Sequence, residues 1–380
     1  GITSFGGPIA HIGYFREEYV NRRGWLDENN YTDIVSLCQI LPGPTSSQVG
    51  IVVGMWRAGF IGGVIAWLGF TLPSAIILML FAVSVGSVDS LSVYGWLHGL
   101  KIMAVAVVAL AVWGMARTIC TDRTRYTISV LSVICLLLIA NQLTQIGVIV
   151  FGAIAGWLFL RHEVQYTQPN DRIMIPKTIA VGSLVVFISL LILLPVARQL
   201  TTEPALAIVD SFYRAGSLVF GGGHVVLPML QSEVIEPGWV SQDIFLAGYG
   251  AAQAVPGPLF TFAAYLGSAM GQFKYPFLNG FISLTAIYLP SFLLIVGVIP
   301  FWNELRSMER FRGVLGGVNA SVVGLLMAAL YDPIWISAVK IPSDVAILVC
   351  LISLLTIWKW PVWSVVLISA IAGEIVARLV

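Results

Sequence analysis

The chain has 380 residues, of which 58% are hydrophobic and only 10% are charged. An average soluble domain carries about 25% charged residues, so 20 basic and 19 acidic side chains are too few to cover a soluble protein of this length. The formal net charge of +1 excludes the basic field typical of nucleic-acid-binding proteins, and the four cysteines lack the spacing of a metal site. We therefore expect an all-α polytopic membrane protein that binds no nucleic acid, cofactor or metal.

Apolar runs of membrane-spanning length recur along the chain. A transmembrane helix needs about 20 apolar residues, and such runs lie at 60–84, 99–118, 178–197, 277–301, 313–331 and 361–379. Three shorter runs either tilt as helices or fail to cross the bilayer: 127–140, 145–160 and 343–357. Apolar segments broken by Gly and Pro, a pattern typical of discontinuous or re-entrant helices, cover 1–20, 31–55, 205–231 and 242–270. We expect the functional site in these broken segments.

Short motifs recur in the two halves of the chain in the same order. The matched landmarks are Phe5-Gly6-Gly7 with Phe220-Gly221-Gly222, Gly24-Trp25 with Gly238-Trp239, Gln39 to Pro44 with Gln253 to Pro258, Leu72-Pro73-Ser74 with Leu289-Pro290-Ser291, and Gly99 with Gly317. Their period of about 215 residues indicates an internal duplication. The sequence therefore predicts a first repeat at 1–162, a linker with one transmembrane helix at 163–204, and a second repeat at 205–380.

Loop charges predict the direction in which each repeat crosses the membrane, because cytoplasmic loops are enriched in Lys and Arg. In the first repeat, loop 16–30 is basic, loop 86–97 has no Lys or Arg, and loop 117–126 is basic. In the second repeat, the corresponding loops are acidic at 232–243, basic at 306–312 and mixed at 332–344. The repeats are therefore predicted to be inverted about a pseudo-twofold axis in the membrane plane, as in many secondary transporters. The inversion requires that at least one of the four candidate segments between 126 and 232 does not cross the bilayer.

Pro42-Gly43-Pro44 interrupts an apolar run in the first repeat. Proline removes a backbone donor and clashes with the preceding turn, so a helix must end here, and a new one can begin directly afterwards. The first amides of that helix lack partners and its dipole is positive, so Thr45, Ser46 and Ser47 would present donors suited to an anion. The second repeat has the same arrangement with fewer hydroxyls, in Gln253, Pro256, Gly257, Pro258 and Thr261. The alternative is a proline kink in a packed helix; its repetition in both halves favours an anion site.

Glycine clusters at membrane depth form a second pair of candidate substrate sites. They comprise Gly6 and Gly7 in the first repeat, and Gly221, Gly222, Gly223 and the adjacent His224 in the second. Glycine allows a helix to unwind or two backbones to approach closely, so close helix packing is the alternative reading. With inverted repeats, both clusters and both Pro-Gly-Pro breaks would meet around one site near the midplane.

Ionisable residues near membrane depth are costly and commonly functional. Arg57 and Lys101 are the candidates for supplying positive charge to an anion. His11, Glu18 and Glu233 are candidates for proton coupling, because each glutamate lies 11 residues after the second glycine of its cluster. The alternative is that both glutamates are solvated helix ends in the headgroup region.

At these motifs the sequence resembles the two-domain form of the chromate ion transporter family. The resemblance is carried by GITSFGGPIAH at 1–11, QILPGPTSSQ at 39–48, RAGSLVFGGGHVVLP at 214–228 and GYGAAQAVPGPLFTFAAYLG at 248–267, and it extends over essentially the whole chain. It implies a multi-pass carrier in the bacterial inner membrane that exports chromate, with sulfate as the structural analogue.

Two other functions stay open at this point. A carrier for sulfate or another oxyanion would use the same donors, and an anion channel would line a continuous pore with the Gly and Pro breaks. A membrane enzyme is disfavoured, because the sequence lacks HExxH, GxSxG and P-loop motifs. The paired glutamates and the missing P-loop motif together suggest that the proton motive force drives transport. Whether the chain forms a homodimer is left open.

Overall fold

The computed structural model describes residues 4, 7–86, 95–139, 142–160, 175–201, 203–220, 226–271 and 274–379. Within these ranges the secondary structure is helical and contains no strand, which confirms the predicted all-α class. The α-helices are α1 (Gly7–Arg16), α2 (Glu28–Ile40), α3 (Thr45–Gly86), α4 (Gly95–Ile119), α5 (Arg123–Leu138), α6 (Gln142–Phe159), α7 (Lys177–Leu200), α8 (Pro204–Leu218), α9 (Val226–Val234), α10 (Gln242–Ala252), α11 (Phe262–Ala269), α12 (Pro276–Val298), α13 (Trp302–Ser307), α14 (Glu309–Ala329), α15 (Ile336–Ala338), α16 (Pro342–Thr356) and α17 (Val362–Leu379). Short π-helical segments lie at Glu17–Arg22 and Leu330–Trp335, and 3-10 turns at Leu259–Thr261 and Ile299–Phe301.

Five helical segments among the described residues are long and apolar enough to cross a membrane. They are Thr45–Val85, Gly95–Ile119, Lys177–Leu200, Pro276–Phe301 and Arg310–Ala338, and each contains one of the predicted spans. The sixth predicted span, 361–379, forms α17 but is not among these five. The chain is therefore a multi-pass membrane protein.

Local sequence signals explain where several helices begin and end. The Asp27 side chain accepts a hydrogen bond of 2.8 Å from the backbone of Asn30, and so caps α2. At its other end α2 stops at Ile40 and Leu41 is extended, because the residue before a proline is pushed out of the helical region. Asp122 caps α5 in the same way as Asp27 caps α2.

Helix α3 is a hairpin of two helical arms. Ala58 and Gly59 leave the helical conformation, so the first arm runs over 45–57 and the second over 60–86. The arms pack tightly near the turn, where a Cβ on Gly54 or Gly62 would collide with the carbonyl oxygen of the other glycine. The first arm spans about 18 Å at 1.5 Å per residue, less than a hydrocarbon core of about 30 Å.

The chain divides into two compact units, and each unit takes residues from both halves of the sequence. Unit 1 comprises Gly1–Asp89, Thr167–Ser241 and Ala252–Trp302, and unit 2 comprises Ser90–Tyr166, Gln242–Ala251 and Asn303–Val380. These units do not coincide with the predicted repeats, which divide the sequence at other positions. The repeats and their inversion therefore stay predictions.

In unit 1, helix α12 packs against α3, α7, α8 and α11. The interior of unit 1 is rich in large aromatic side chains that are fully buried, among them Phe260, Tyr265 and Tyr288. Both Pro-Gly-Pro breaks belong to this unit. Unit 1 is therefore the part of the fold that carries the predicted anion site.

Small residues make close helix contacts in unit 2. A Cβ added at Gly99 of α4 would collide with the Ser369 carbonyl of α17, and one added at Gly317 of α14 would collide with the Gly152 carbonyl of α6. Small residues let helix backbones approach closely in membrane proteins. Gly99 and Gly317 are matched landmarks of the predicted repeats, and each contacts a small residue of the other repeat, Ser369 and Gly152 respectively.

Candidate functional site

The first Pro-Gly-Pro break is held open by Gly43. Gly43 has φ +122°, a conformation that L-residues rarely adopt, and its N–H donates to the carbonyl of Val219 at 2.7 Å. A Cβ at this position would collide with the Ser291 hydroxyl and lie 2.7 Å from Gln48 Nε2. Only glycine therefore fits this turn.

Helix α3 begins directly after the break and places polar side chains inside unit 1. The first backbone N–H that donates in the helical pattern is that of Gln48, which donates to the Pro44 carbonyl at 2.9 Å. The N–H groups of residues 45–47 therefore have no partner within the helix. Ser46 and Ser47 are both buried. The Ser47 hydroxyl lies 3.3 Å from that of Tyr288. This end of α3 therefore combines amides that have no partner within the helix with buried hydroxyls.

Gln48 ties the break to α12. Its Nε2 donates to the Pro42 carbonyl at 2.7 Å and to the Ser291 hydroxyl at 3.3 Å. The amide thereby gives the Pro42 carbonyl a donor in place of the backbone N–H that it would meet in a continuous helix. Gln48 holds the extended carbonyl of Pro42 in place and joins the two halves of the sequence.

The second break repeats this geometry. Gly257 has φ +118°, and its N–H donates to the Ser4 carbonyl at 2.8 Å. A Cβ on Gly257 would lie 2.7 Å from the Ser74 hydroxyl. The Thr261 hydroxyl donates to the Pro258 carbonyl at 2.8 Å, so it closes the turn locally.

The contacts of the two breaks are reciprocal. Gly43 of the first half meets Val219 and Ser291 of the second half, whereas Gly257 of the second half meets Ser4 and Ser74 of the first. Ser74 and Ser291 are the matched serines of the two Leu-Pro-Ser landmarks. Each half therefore completes the break of the other.

Buried polar atoms without a hydrogen-bond partner among the described residues include Trp67 Nε1, Thr71 Oγ1 and Gln253 Nε2 in unit 1. The Trp67 ring packs edge-on against Tyr288, with centroids 5.5 Å apart. An unsatisfied buried polar group costs about 1–3 kcal/mol, and an indole N–H can only donate. A ligand rich in acceptor oxygens would satisfy such donors.

The glycine clusters are only partly described. Gly7 begins α1 with φ +78° and has open space where a Cβ would be. Gly6, Gly221, Gly222, Gly223 and His224 lie outside the described residues.

The two cations predicted to face the anion lie in different units: Arg57 is in unit 1 and Lys101 is in unit 2. Arg57 is exposed at the tip of the α3 hairpin, where its guanidinium lies 5.6 Å from the Trp25 ring centroid. It is about 18 Å along the helix from Thr45. Lys101 is buried in unit 2 and donates to Asp243 at 2.9 Å.

The three predicted proton carriers have different surroundings. His11 is buried, with Nε2 at 2.9 Å from the Ser4 carbonyl and Nδ1 at 3.4 Å from the Ser46 hydroxyl, so it borders both breaks. Glu18 is partly exposed and pairs with two arginines of its own loop; the hydrogen bond from Arg23 lowers its pKa. Glu233 is buried against Arg214, with 2.6 Å between Nη1 and Oε1.

Sequence reasoning missed Gln48, Ser74, Tyr288 and Ser291 as parts of the site. The two serines carried a signal, because both belong to a motif that recurs in the two halves. Gln48 lies within the QILPGPTSSQ motif, but nothing local indicates its contact with Ser291, and Tyr288 had no signal, since its partner Ser47 is distant in sequence. No group of three or more His, Cys, Asp or Glu placed to hold a metal ion occurs in the described part of the chain.

Comparison with known proteins identifies relatives along the whole chain. The sequence profile of the chromate transporter family matches residues 1–157 and 206–374. An uncharacterized transporter of Methanocaldococcus jannaschii is 28% identical over 99% of this chain and 92% of its own length. Chromate transport proteins of Pseudomonas aeruginosa and Cupriavidus metallidurans are 27% and 24% identical over 99% and 98% of this chain, and over 90% of each relative. No solved structure matches.

Proposed function

The chain belongs to the chromate transporter family, and from this premise we propose that it is a secondary carrier that exports chromate across the bacterial inner membrane, driven by the proton motive force. The names of the relatives from Pseudomonas aeruginosa and Cupriavidus metallidurans support chromate as the substrate. Five apolar helices of spanning length support a multi-pass carrier. The absence of a P-loop motif in the sequence favours an ion gradient as the energy source.

One observation carries the proposed binding site: two glycine-centred breaks with reciprocal contacts lie in the same compact unit. A tetrahedral dianion needs several donors at once, because transferring it from water removes its hydration shell. The amides of residues 45–47, the Ser46 and Ser47 hydroxyls and the indole N–H of Trp67 offer such donors at the positive end of α3. The hydrogen bonds that the described residues make around both breaks involve hydroxyl, amide, imidazole and backbone groups. The breaks therefore offer the anion dipolar donors.

The reciprocal contacts also support the predicted duplication, with a twofold relation between the two repeats. Two copies related by a twofold axis exchange equivalent contacts, and the breaks do so through Gly43 with Ser291 and Gly257 with Ser74. Substituted-cysteine labelling of the 16–30 and 232–243 loops tests the orientation. Inverted repeats place these two loops on opposite sides of the membrane; labelling of both loops from one side would refute the inversion.

Chromate uptake into everted membrane vesicles tests the function itself, since export from the cell becomes uptake in this orientation. We expect saturable, uphill uptake of radiolabelled chromate that collapses when a protonophore removes the proton motive force. Vesicles that lack the protein are the control. Uptake that only equilibrates chromate and does not saturate would indicate a channel instead, and sulfate that inhibits with a Ki similar to the KM for chromate would indicate a general oxyanion carrier.

A further inference from the structure

Unit 1 contains a buried cluster of two arginines and two carboxylates, which we name the carboxylate–guanidinium cluster: Arg198, Asp210, Arg214 and Glu233. Asp210 is 1% exposed and lies between the two arginines, with Arg198 Nη1 at 3.2 Å and Arg214 Nη2 at 3.0 Å from its Oδ2. Arg198 also donates to the Ser211 hydroxyl at 3.1 Å. The formal charges of the cluster sum to zero.

Arg214 is held on two edges of its guanidinium. Nε and Nη2 each donate to Asp210 at 3.0 Å, and Nη1 and Nη2 donate to Glu233 at 2.6 and 2.8 Å. Paired N–H donors of this kind match the two oxygens of a carboxylate and equally two oxygens of a tetrahedral oxyanion. Glu233 therefore occupies an edge that an oxyanion could take.

The two carboxylates are not equivalent. Asp210 contacts both arginines and its side chain is 1% exposed, whereas Glu233 contacts Arg214 and its side chain is 10% exposed. An arginine cannot lose its proton in a protein. Of the four members, Glu233 is thus the one that can take up a proton and move away at the least cost.

The surrounding helices add little further charge. Helix α7 carries only Lys177 besides Arg198, and Lys177 lies at the opposite end of a helix about 35 Å long. Helix α9 carries only Glu233, and α12, which also packs on α8, has no Asp, Glu, Lys, Arg or His. The Trp239 ring lies 5.3 Å from the Arg198 guanidinium. Besides burial and the Ser211 hydroxyl, the groups that act on the protonation of Glu233 are therefore Arg214, Asp210 and Arg198.

The cluster is close to the first break. Arg214 lies on α8 five residues before Val219, which corresponds to about 7 Å of helical rise, and the Val219 carbonyl accepts the N–H of Gly43. Gly216, two residues after Arg214, touches the Ile287 carbonyl next to Tyr288. Helix α8 thus links Arg214 to the donors of the proposed anion site.

We propose that Glu233 is an internal competitor of the substrate: it occupies the Nη1–Nη2 edge of Arg214 until it takes up a proton, and the oxyanion then binds that edge. The proposal rests on the proposed transport of chromate. In the exchange, one Glu233 Oε gains a proton from solvent, its two bonds to Arg214 break, and two oxygens of the anion accept the same N–H groups. No covalent bond to the anion forms or breaks.

The exchange fixes the sign of coupling between proton and anion. Binding of the proton and binding of the anion favour each other, because both require that the ion pair between Glu233 and Arg214 is broken. A dianion that travels with one proton still carries one net negative charge, so export is driven by the membrane potential and opposed by the pH gradient. This refines the proposed driving force to its electrical component.

Equilibrium dialysis of radiolabelled chromate with the purified full-length protein in detergent tests the exchange across a series of pH values. The variants are Glu233→Gln, Glu233→Asp and Arg214→Lys, with Glu28→Gln as the matched control, because Glu28 pairs with Arg16 on the exposed surface. Chromate takes up a proton itself near neutral pH, but this contribution is identical for all variants and cancels in ratios of Kd.

We expect wild-type Kd to rise relative to that of Glu233→Gln by about tenfold per pH unit above the titration of Glu233. Glu233→Asp keeps a pH-dependent ratio, and Glu28→Gln behaves as wild type. Arg214→Lys loses the paired N–H donors of the guanidinium and should weaken binding at every pH. It supplies an independent result if a thermal-unfolding assay shows that Glu233→Gln does not fold.

Several outcomes would overturn the exchange. They are a constant ratio of wild-type to Glu233→Gln Kd at all pH values, loss of binding in Glu233→Gln with retention in Glu233→Asp, and unchanged binding in Arg214→Lys. Wild-type protein that neither binds nor carries chromate would instead refute the proposed function, so the two failures are distinguishable.

Discussion

Gly43→Ala is the sharpest perturbation of the proposed anion site. A non-glycine residue held at φ +122° costs about 1–3 kcal/mol. The new Cβ would also collide with the Ser291 hydroxyl and Gln48 Nε2, and overpacking of this kind costs about 1–3 kcal/mol. Together these effects predict a loss of about 2–6 kcal/mol, or opening of the break with loss of the Gln48 contacts.

Gly59→Ala is the matched control for this substitution. Gly59 has φ +64° and ψ −161° at the tip of the same helical hairpin, a backbone region essentially restricted to glycine, but its Cβ position is open, so only a backbone cost of about 1–3 kcal/mol applies. Thermal unfolding in detergent and chromate uptake in everted vesicles measure both variants. We expect Gly43→Ala to unfold several degrees lower and to lose most transport, whereas Gly59→Ala keeps transport. Equal melting temperatures and equal transport in the two variants would refute the role of the break.

Three further outcomes follow from particular contacts. Asp243→Asn leaves the buried ammonium of Lys101 without its carboxylate and should destabilise the protein by about 1–2 kcal/mol, a loss that adding Lys101→Met reverses in thermal unfolding. Gly99→Leu should separate α4 from α17 and lower the yield of folded protein in size-exclusion chromatography, whereas Gly114→Leu on the same helix, with open space around it, should not. A neighbouring arginine lowers the pKa of Glu18, so the contribution of this ion pair to stability is complete at neutral pH and is lost only as the pH falls through that lowered pKa. Glu18→Gln should therefore leave the pH profile of chromate binding unchanged above about pH 5, and a shifted profile would contradict this.

The breaks and the long spans were predictable because their signals are local. Proline at 42 and 44 forbids a continuous helix, and the structure ends α2 at Ile40 and begins α3 at Thr45 accordingly. Apolar runs of spanning length likewise need no tertiary information, and five of six predicted spans lie within candidate membrane helices. The hairpin turn at Ala58 and Gly59 falls between a predicted broken segment and a predicted span.

The surroundings of the charged residues were not predictable, because they depend on contacts between distant segments. Lys101 appears in sequence as a lone cation in an apolar span, yet it is compensated by Asp243. Asp210 and Arg214 do carry a local signal, an acid four residues before a base on one helix. Nothing in the local pattern indicates that Glu233 contacts the opposite edge of Arg214.

A compensated arginine suits a carrier better than an unpaired one. An uncompensated guanidinium at membrane depth is costly, and a permanent tight pair with the anion would slow its release. With Glu233 as the resident partner, the empty carboxylate–guanidinium cluster is neutral. The competition makes the apparent affinity equal to the intrinsic affinity multiplied by the fraction of protein in which the edge is vacant. The neutral donors at the breaks can then supply the specificity for a tetrahedral anion, while the charge that favours its entry is available only when a proton has displaced Glu233.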